Sequence, residues 1–104
     1  MIVRQNDSMP LVSVLMNAFN RQKFIAKAIE SVLASSYGNF ELIIVDDQSE
    51  DNTVEIARSY ATLDSRIKVY INEQNLGDYF NRNKAASYAG GKYLKYLDSD
   101  DLIY

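Results

Sequence analysis

The sequence predicts an α/β fold, a mostly parallel sheet of about four strands flanked by helices. Two observations carry this expectation. Short apolar runs of strand length (Leu11 to Met16, Phe40 to Val45, Ile67 to Ile71, Tyr93 to Leu97) alternate with segments whose apolar residues recur at helical spacing. No linker, low-complexity stretch or sequence repeat interrupts the alternation, so each strand connects to the next through a helix, which implies right-handed crossovers and parallel pairing.

Each element follows from its residues. The first nine residues are polar and patternless and read as a loose arm over 1–9. Leu11 to Met16 is rich in β-branched residues and is the first strand. Phe24, Ile25, Ala28, Ile29, Val32 and Leu33 mark the first helix, with Asn20 as its expected cap and Gly38 just past its end. Phe40 to Val45 is a nearly continuous apolar strand, and Val54, Ile56, Ala57, Tyr60 and Ala61 lie on a helix that starts between Ser49 and Asn52. Ile67 to Ile71 is the third strand. After the breaker Asn75-Leu76-Gly77 a helix runs from Tyr79 to Ala89, and Tyr93 to Leu97 is the fourth strand, in which Lys95 is awkward for a buried central position.

Composition narrows the chemistry. The 104 residues allow one core, and folding at this size buries roughly 60–65% of the unfolded surface. Eleven Lys and Arg against fourteen Asp and Glu give a net charge of −3, a field that repels phosphate backbones, so nucleic acid is not an expected partner. With neither Cys nor His in the chain, thiol chemistry, thiolate metal sites and imidazole acid-base catalysis are excluded. Chemistry must run on carboxylates, amides, hydroxyls, Lys or Arg. No apolar run approaches the roughly 20 residues of a membrane helix, and the first residues lack a signal-peptide core. The expectation is a soluble, cytoplasmic-side domain.

Open parallel sheets bind ligands beyond the carboxyl ends of their strands, where loops converge and helix N-termini point. There this sequence places Asn17-Ala-Phe-Asn20, Asp46-Asp-Gln-Ser49 and Asp98-Ser-Asp-Asp101. For Asp46 and Asp47, loop solvation and helix capping explain one acid better than two adjacent ones, since like charges repel unless a donor or cation separates them. Asp98, Asp100 and Asp101 read equally as a frayed acidic terminus or as a hard-cation site, because Mg²⁺ or Mn²⁺ takes a few carboxylate oxygens and completes its shell with water and phosphates. Asn83 falls in line with Leu76, Tyr79 and Phe80 and is expected to face inward, its amide bonded to a neighbouring loop, with Arg82 beside it at the surface.

Taken in order, Ser13 to Arg21, Ser31-Val-Leu33, Glu41 to Thr53, Asn75-Leu-Gly77, Arg82-Asn83 and Gly91 to Asp101 resemble the N-terminal half of a family-2 glycosyltransferase of the GT-A fold. The resemblance covers 10–104 and implies a Rossmann-like sheet in strand order 3-2-1-4. It implies that Asp47 contacts the uracil of a nucleotide-sugar, usually a uridine diphosphate sugar, with Asp46 in support, and that Asn17, Asn20, Arg82 and Asn83 belong to the same site. Asp98-Ser-Asp100 is the implied D-x-D motif, binding ribose and a divalent Mn²⁺ or Mg²⁺ ion, with Asp100 the direct ligand beside Asp98. The implied acceptor is a glycan, a lipid-linked or another hydroxyl, and the implied location is cytoplasmic, at the inner face of the membrane in a full-length protein. Two stretches differ from the family's usual pattern: Asn17-Ala-Phe-Asn20 stands for Pro-Thr-Tyr-Asn, and Ala85 stands for a common Gly.

In that family the acceptor-binding half and the catalytic base follow the D-x-D motif, so the base is expected beyond Tyr104 and the chain alone is expected to bind donor without turnover. Strand 93–97 would then lie at a sheet edge and promote self-association. A receiver-type Mg²⁺-binding signalling module is the alternative. It expects acids after the first strand and a phosphoacceptor after the third, where this chain has Asn17 and Asn72. A dinucleotide-binding domain is weaker, since no G-x-G-x-x-G follows the first strand. A non-catalytic association domain is the third possibility.

Overall fold

The computed structural model describes residues 12–35 and 38–98, with side chains at all of these except 78, 79 and 98. The arm expected over 1–9 and the acids Asp100 and Asp101 lie outside the described residues. In chain order the elements are β1 (Val12–Ala18), α1 (Ile25–Leu33), β2 (Phe40–Asp46), α2 (Thr53–Leu63), β3 (Ile67–Ile71), α3 (Asp78–Ser87) and β4 (Tyr93–Asp98). The sheet runs β3-β2-β1-β4 with every neighbour parallel. This is the expected order.

Helices cover both faces. Ile25, Ala28, Ile29 and Val32 recur at i, i+3, i+4 and i+7 and bury one stripe of α1. With Ala57 of α2 they pack on Val14, Met16, Leu42 and Ile44 of the sheet. On the opposite face Ala85 of α3 packs on Leu15, Ile43 and Val45. Two-sided cover explains why all seven residues of β2 are buried and why its sequence is nearly continuous in apolar residues rather than alternating. β4 is an outer strand of the described sheet, so Lys95 is exposed there, which removes its awkwardness.

A polar clasp closes the amino end of the sheet. The buried Ser13 hydroxyl donates to Glu41 Oε2 at 2.6 Å, the Gly90 N–H donates to the same oxygen at 2.7 Å, and the Gly91 N–H donates to Ser13 Oγ at 2.8 Å. Lys68 Nζ stands 3.6 Å from Glu41 Oε1. Burial pushes the Glu41 carboxyl up, but the Ser13, Gly90 and Lys68 donors together outweigh it and hold the group below its ordinary value. The clasp ties β1 and β2 to the turn that feeds β4.

Asn20 does not cap α1. Phe24 occupies the N-cap position, and Asn20 sits four residues earlier with φ 53°, a left-handed conformation that Asn tolerates better than most residues. Asn83 also departs from expectation: it is exposed, and among the described side chains of α3 Asn81 and Ala85 are the buried ones. Leu76 lies before the helix, so it does not set the helical phase. Asn83 is two residues beyond Asn81, about 200° around the axis and on the outer side. Phe80, placed in the same inward line, is 62% exposed. Among the described residues no helix is long and apolar enough to cross a membrane.

Candidate nucleotide-sugar site

Of the expected site residues, Asn17, Asn20, Asp46, Asp47, Arg82 and the Asp98 backbone lie toward the carboxyl end of the sheet. Strand register sets Asn17 of β1 beside Asp98 of β4 on one side and Val45 of β2 on the other. The ladder continues into the loops, with the Asp47 N–H donating to the Ala18 carbonyl at 2.8 Å and the Asn72 N–H to the Asp46 carbonyl at 2.9 Å. Arg82 of α3 lies with its guanidinium carbon 5.7 Å from the centre of the Tyr96 ring, on the strand that ends at Asp98. Asn17, Arg82, Asp47 and the Asp98 backbone thus converge on one end of β1, β2 and β4. Asn83, on the outer side of α3, is not brought to them.

The two adjacent acids avoid each other because successive side chains of an extended chain point to opposite faces. Asp46 continues the row of Leu42 and Ile44, is 1% exposed, and accepts the Ser49 N–H at 2.8 Å and the Ser49 hydroxyl. Asp47 turns to the α3 side, is 3% exposed, and accepts Asn72 Nδ2 at 3.0 Å, the Leu76 N–H at 2.6 Å and the Gly77 N–H at 2.8 Å. Asn75 Nδ2 adds a bond to the Asp47 carbonyl at 2.9 Å. The Asn75-Leu-Gly77 breaker is therefore fastened to Asp47. Its last residue, Gly77, has φ 85° and is the N-cap of α3, so the carboxylate sits at the positive end of that helix.

Asp46 reaches Asn20 through Ser49, whose hydroxyl accepts the Asn20 N–H at 2.8 Å. Asn20 Oδ1 accepts the Glu50 N–H at 2.8 Å, Thr53 Oγ1 accepts the Arg21 N–H at 2.8 Å, Asp51 Oδ2 accepts the Gln22 N–H at 3.2 Å, and Gln22 Oε1 accepts the Asn52 N–H at 3.1 Å. Desolvation pushes the Asp51 carboxyl up, but bonds from the Thr53 hydroxyl and from the Thr53 and Gln22 N–H groups outweigh it and hold the group below its ordinary value. The β1–α1 and β2–α2 loops are laced together along their whole facing edge.

Two buried residues of the site carry no expected ligand role, Asn72 after β3 and Asn81 in α3. Asn72 Nδ2 donates to Asn81 Oδ1 at 2.6 Å as well as to Asp47, and Asn81 Nδ2 donates to the Val45 carbonyl at 3.0 Å. A signal for Asn72 exists in the sequence, since a polar residue directly after a strand of a parallel sheet stands where ligand loops begin. Among the described residues no three acidic, Cys or His side chains are grouped to hold a metal; the side chain of Asp98 and the whole of Asp100 are not among them.

Comparison with known proteins places the chain in a family and agrees with its fold. The family model described as Glycosyl transferase family 2 matches residues 13–104. The chain is 45% identical over 92 residues to the putative teichuronic acid biosynthesis glycosyltransferase TuaG of Bacillus subtilis, covering 88% of this chain and 36% of TuaG. It is 42% identical over 92 residues to WfgD of Escherichia coli, a UDP-Glc:alpha-D-GlcNAc-diphosphoundecaprenol beta-1,3-glucosyltransferase, again covering 36% of that protein. The crystal structure of residues 1–349 of S. aureus TarS in complex with UDP-GlcNAc superposes with a TM-score of 0.84 at 32% identity, over 89% of this chain and 27% of TarS. The chain thus spans about a third of the length of these relatives.

Proposed function

Because this chain belongs to glycosyl transferase family 2 and has the parallel α/β sheet of the GT-A fold, we propose that it forms the donor-binding part of an enzyme that transfers a sugar from a uridine diphosphate sugar to an acceptor hydroxyl. One observation carries the proposal. Asn17, Asp47 and the D-x-D residue Asp98 lie at the carboxyl end of three adjacent strands, beside the Arg82–Tyr96 pair. Support for the donor class comes from the TarS complex with UDP-GlcNAc and the UDP-Glc donor in the name of WfgD. In this proposal Asp47 meets the base with Asp46 in support, Asn17 and Asn20 shape the β1 side, Arg82 the α3 side, and Asp98 the ribose.

The donor set suits a hard divalent cation, since Asp98 and Asp100 offer carboxylate oxygen and the sequence has neither Cys nor His to favour a softer metal. Asp98 and Asp100 would hold Mn²⁺ or Mg²⁺, which when bound offsets negative charge on the diphosphate. In the transfer, the acceptor hydroxyl oxygen bonds the anomeric carbon as its proton passes to a general base of the acceptor-binding half, the bond from that carbon to the diphosphate oxygen breaks, and the nucleoside diphosphate leaves. This chain's residues hold and orient the departing half. The acceptor class is a glycan or lipid-linked hydroxyl, as the name of WfgD suggests.

Isothermal titration of the 104-residue polypeptide with UDP and Mn²⁺ is expected to give saturable binding that Asp100→Asn weakens at least about tenfold, or ~1.4 kcal/mol. Equal heats from the two proteins would count against the site. The polypeptide alone is expected to release no glycoside from a UDP-sugar and a hydroxyl acceptor, and measured turnover would contradict that. The proposal also includes association of copies along β4.

A further inference from the structure

The buried amides beneath Asp47 have a direction. The Val45 carbonyl and the Asp47 carboxylate only accept, so each must face an N–H. Asn81 Nδ2 donates to the Val45 carbonyl at 3.0 Å, which turns Asn81 Oδ1 toward Asn72. Asn72 Nδ2 donates to that oxygen at 2.6 Å and to Asp47 Oδ1 at 3.0 Å. The three residues are 2%, 5% and 3% exposed, and among the described residues no buried side-chain nitrogen or oxygen lacks a partner. Turning either amide would set oxygen against oxygen, so the chain from Val45 through Asn81 and Asn72 to Asp47 has one arrangement.

The consequence lies at the carboxylate. Asp47 Oδ1 receives Asn72 Nδ2 and the Leu76 N–H, and Oδ2 receives the Gly77 N–H. A carboxylate offers about four acceptor positions, two on each oxygen. We propose that Asn81, acting through Asn72, is a positioning residue for Asp47: the relay pins the carboxylate so that a single acceptor position, on Oδ2, is left for one N–H of a bound nucleobase. This rests on the donor-binding proposal above. Uracil presents one such group, the ring N–H between its two carbonyls, whereas cytosine presents a bare acceptor nitrogen at that position. The relay therefore acts as a device of base selection. Without the Asn81 amide, Asn72 loses its second acceptor and the carboxylate can rotate, offering either oxygen in more than one orientation.

The test compares UDP with CDP in the presence of Mn²⁺, on the unaltered chain, on Asn81→Ala, and on Val32→Ala, which removes packing from α1 on the opposite face. The unaltered chain is expected to prefer UDP by at least about tenfold, Asn81→Ala by about threefold or less, and Val32→Ala by the unaltered ratio despite a lower melting temperature. Amide hydrogen exchange at Leu76 and Gly77 reads the relay without nucleotide and is expected to quicken in Asn81→Ala only. A folded Asn81→Ala that keeps the full UDP preference overturns the positioning role, as does equal loss of preference in Val32→Ala. If the unaltered chain binds no UDP, the donor-binding proposal and the base-selection role fall together, and the exchange rates still show whether Asn81 holds Asp47.

Discussion

Gly91 stands where a β-carbon has no room. A Cβ built there would meet Ser13 Oγ at 2.6 Å and the Ser13 backbone nitrogen at 2.8 Å. Because one of those neighbours is backbone, relaxation is costly, and Gly91→Ala is expected to lose about 1–3 kcal/mol, lowering the melting temperature by roughly 5 °C or more. An unchanged melting temperature would show that the turn moves freely. Gly91 was legible in the sequence only as part of a family-like stretch, since its constraint comes from Ser13, 78 residues away. The separation of Asp46 from Asp47 was hidden for the same reason: adjacency and charge were plain, but the donors that accommodate them come from Ser49 on one face and from Asn72, Leu76 and Gly77 on the other. Asn81 carries no such signal, because lining Asn83 up with Leu76, which lies before the helix, points to the wrong face of α3.

At the scale of elements, strands were easier to place than caps. β3 spans Ile67–Ile71 as its apolar run indicates, and β1, β2 and β4 extend only slightly past theirs; in the central strands β1 and β2 burial on two faces writes itself into consecutive residues. Caps depend on single side chains and on φ, so the sequence alone places Asn20 at the start of α1, whereas its side chain accepts the Glu50 N–H. The clasp around Glu41 is another element-scale feature, a carboxylate near the start of a buried strand that requires partners. Its pKa is lowered from 4.5, so its contribution to stability is present above that ordinary value and is lost as pH falls through the lowered one. The melting temperature of the unaltered chain is expected to fall more steeply as pH drops below 4.5 than that of Glu41→Gln. Parallel acid limbs for the two proteins would show that Glu41 does not set this dependence.

Across the whole molecule, the β3-β2-β1-β4 order puts the most buried strands in the middle and the site at their common end. The outer strand β4 carries Tyr93, Leu94 and Tyr96 at 60%, 47% and 45% exposure, an apolar edge of the kind that pairs with other chains, with Lys95 the charge that opposes pairing. Light scattering is expected to show a mass that rises with concentration, and Leu94→Lys to lower it. A concentration-independent monomer would refute association along this strand.

The bonds between the β1–α1 and β2–α2 loops run in both directions. Asn20 takes an N–H from Glu50 while giving its own to Ser49, and Gln22 gives its N–H to Asp51 while taking one from Asn52. Neither loop keeps its shape with a stranger opposite. For anyone moving specificity between relatives, the transferable module is therefore the pair, residues 19–24 together with 48–53. A chimera that exchanges one of them strands donors and acceptors on both sides of the seam.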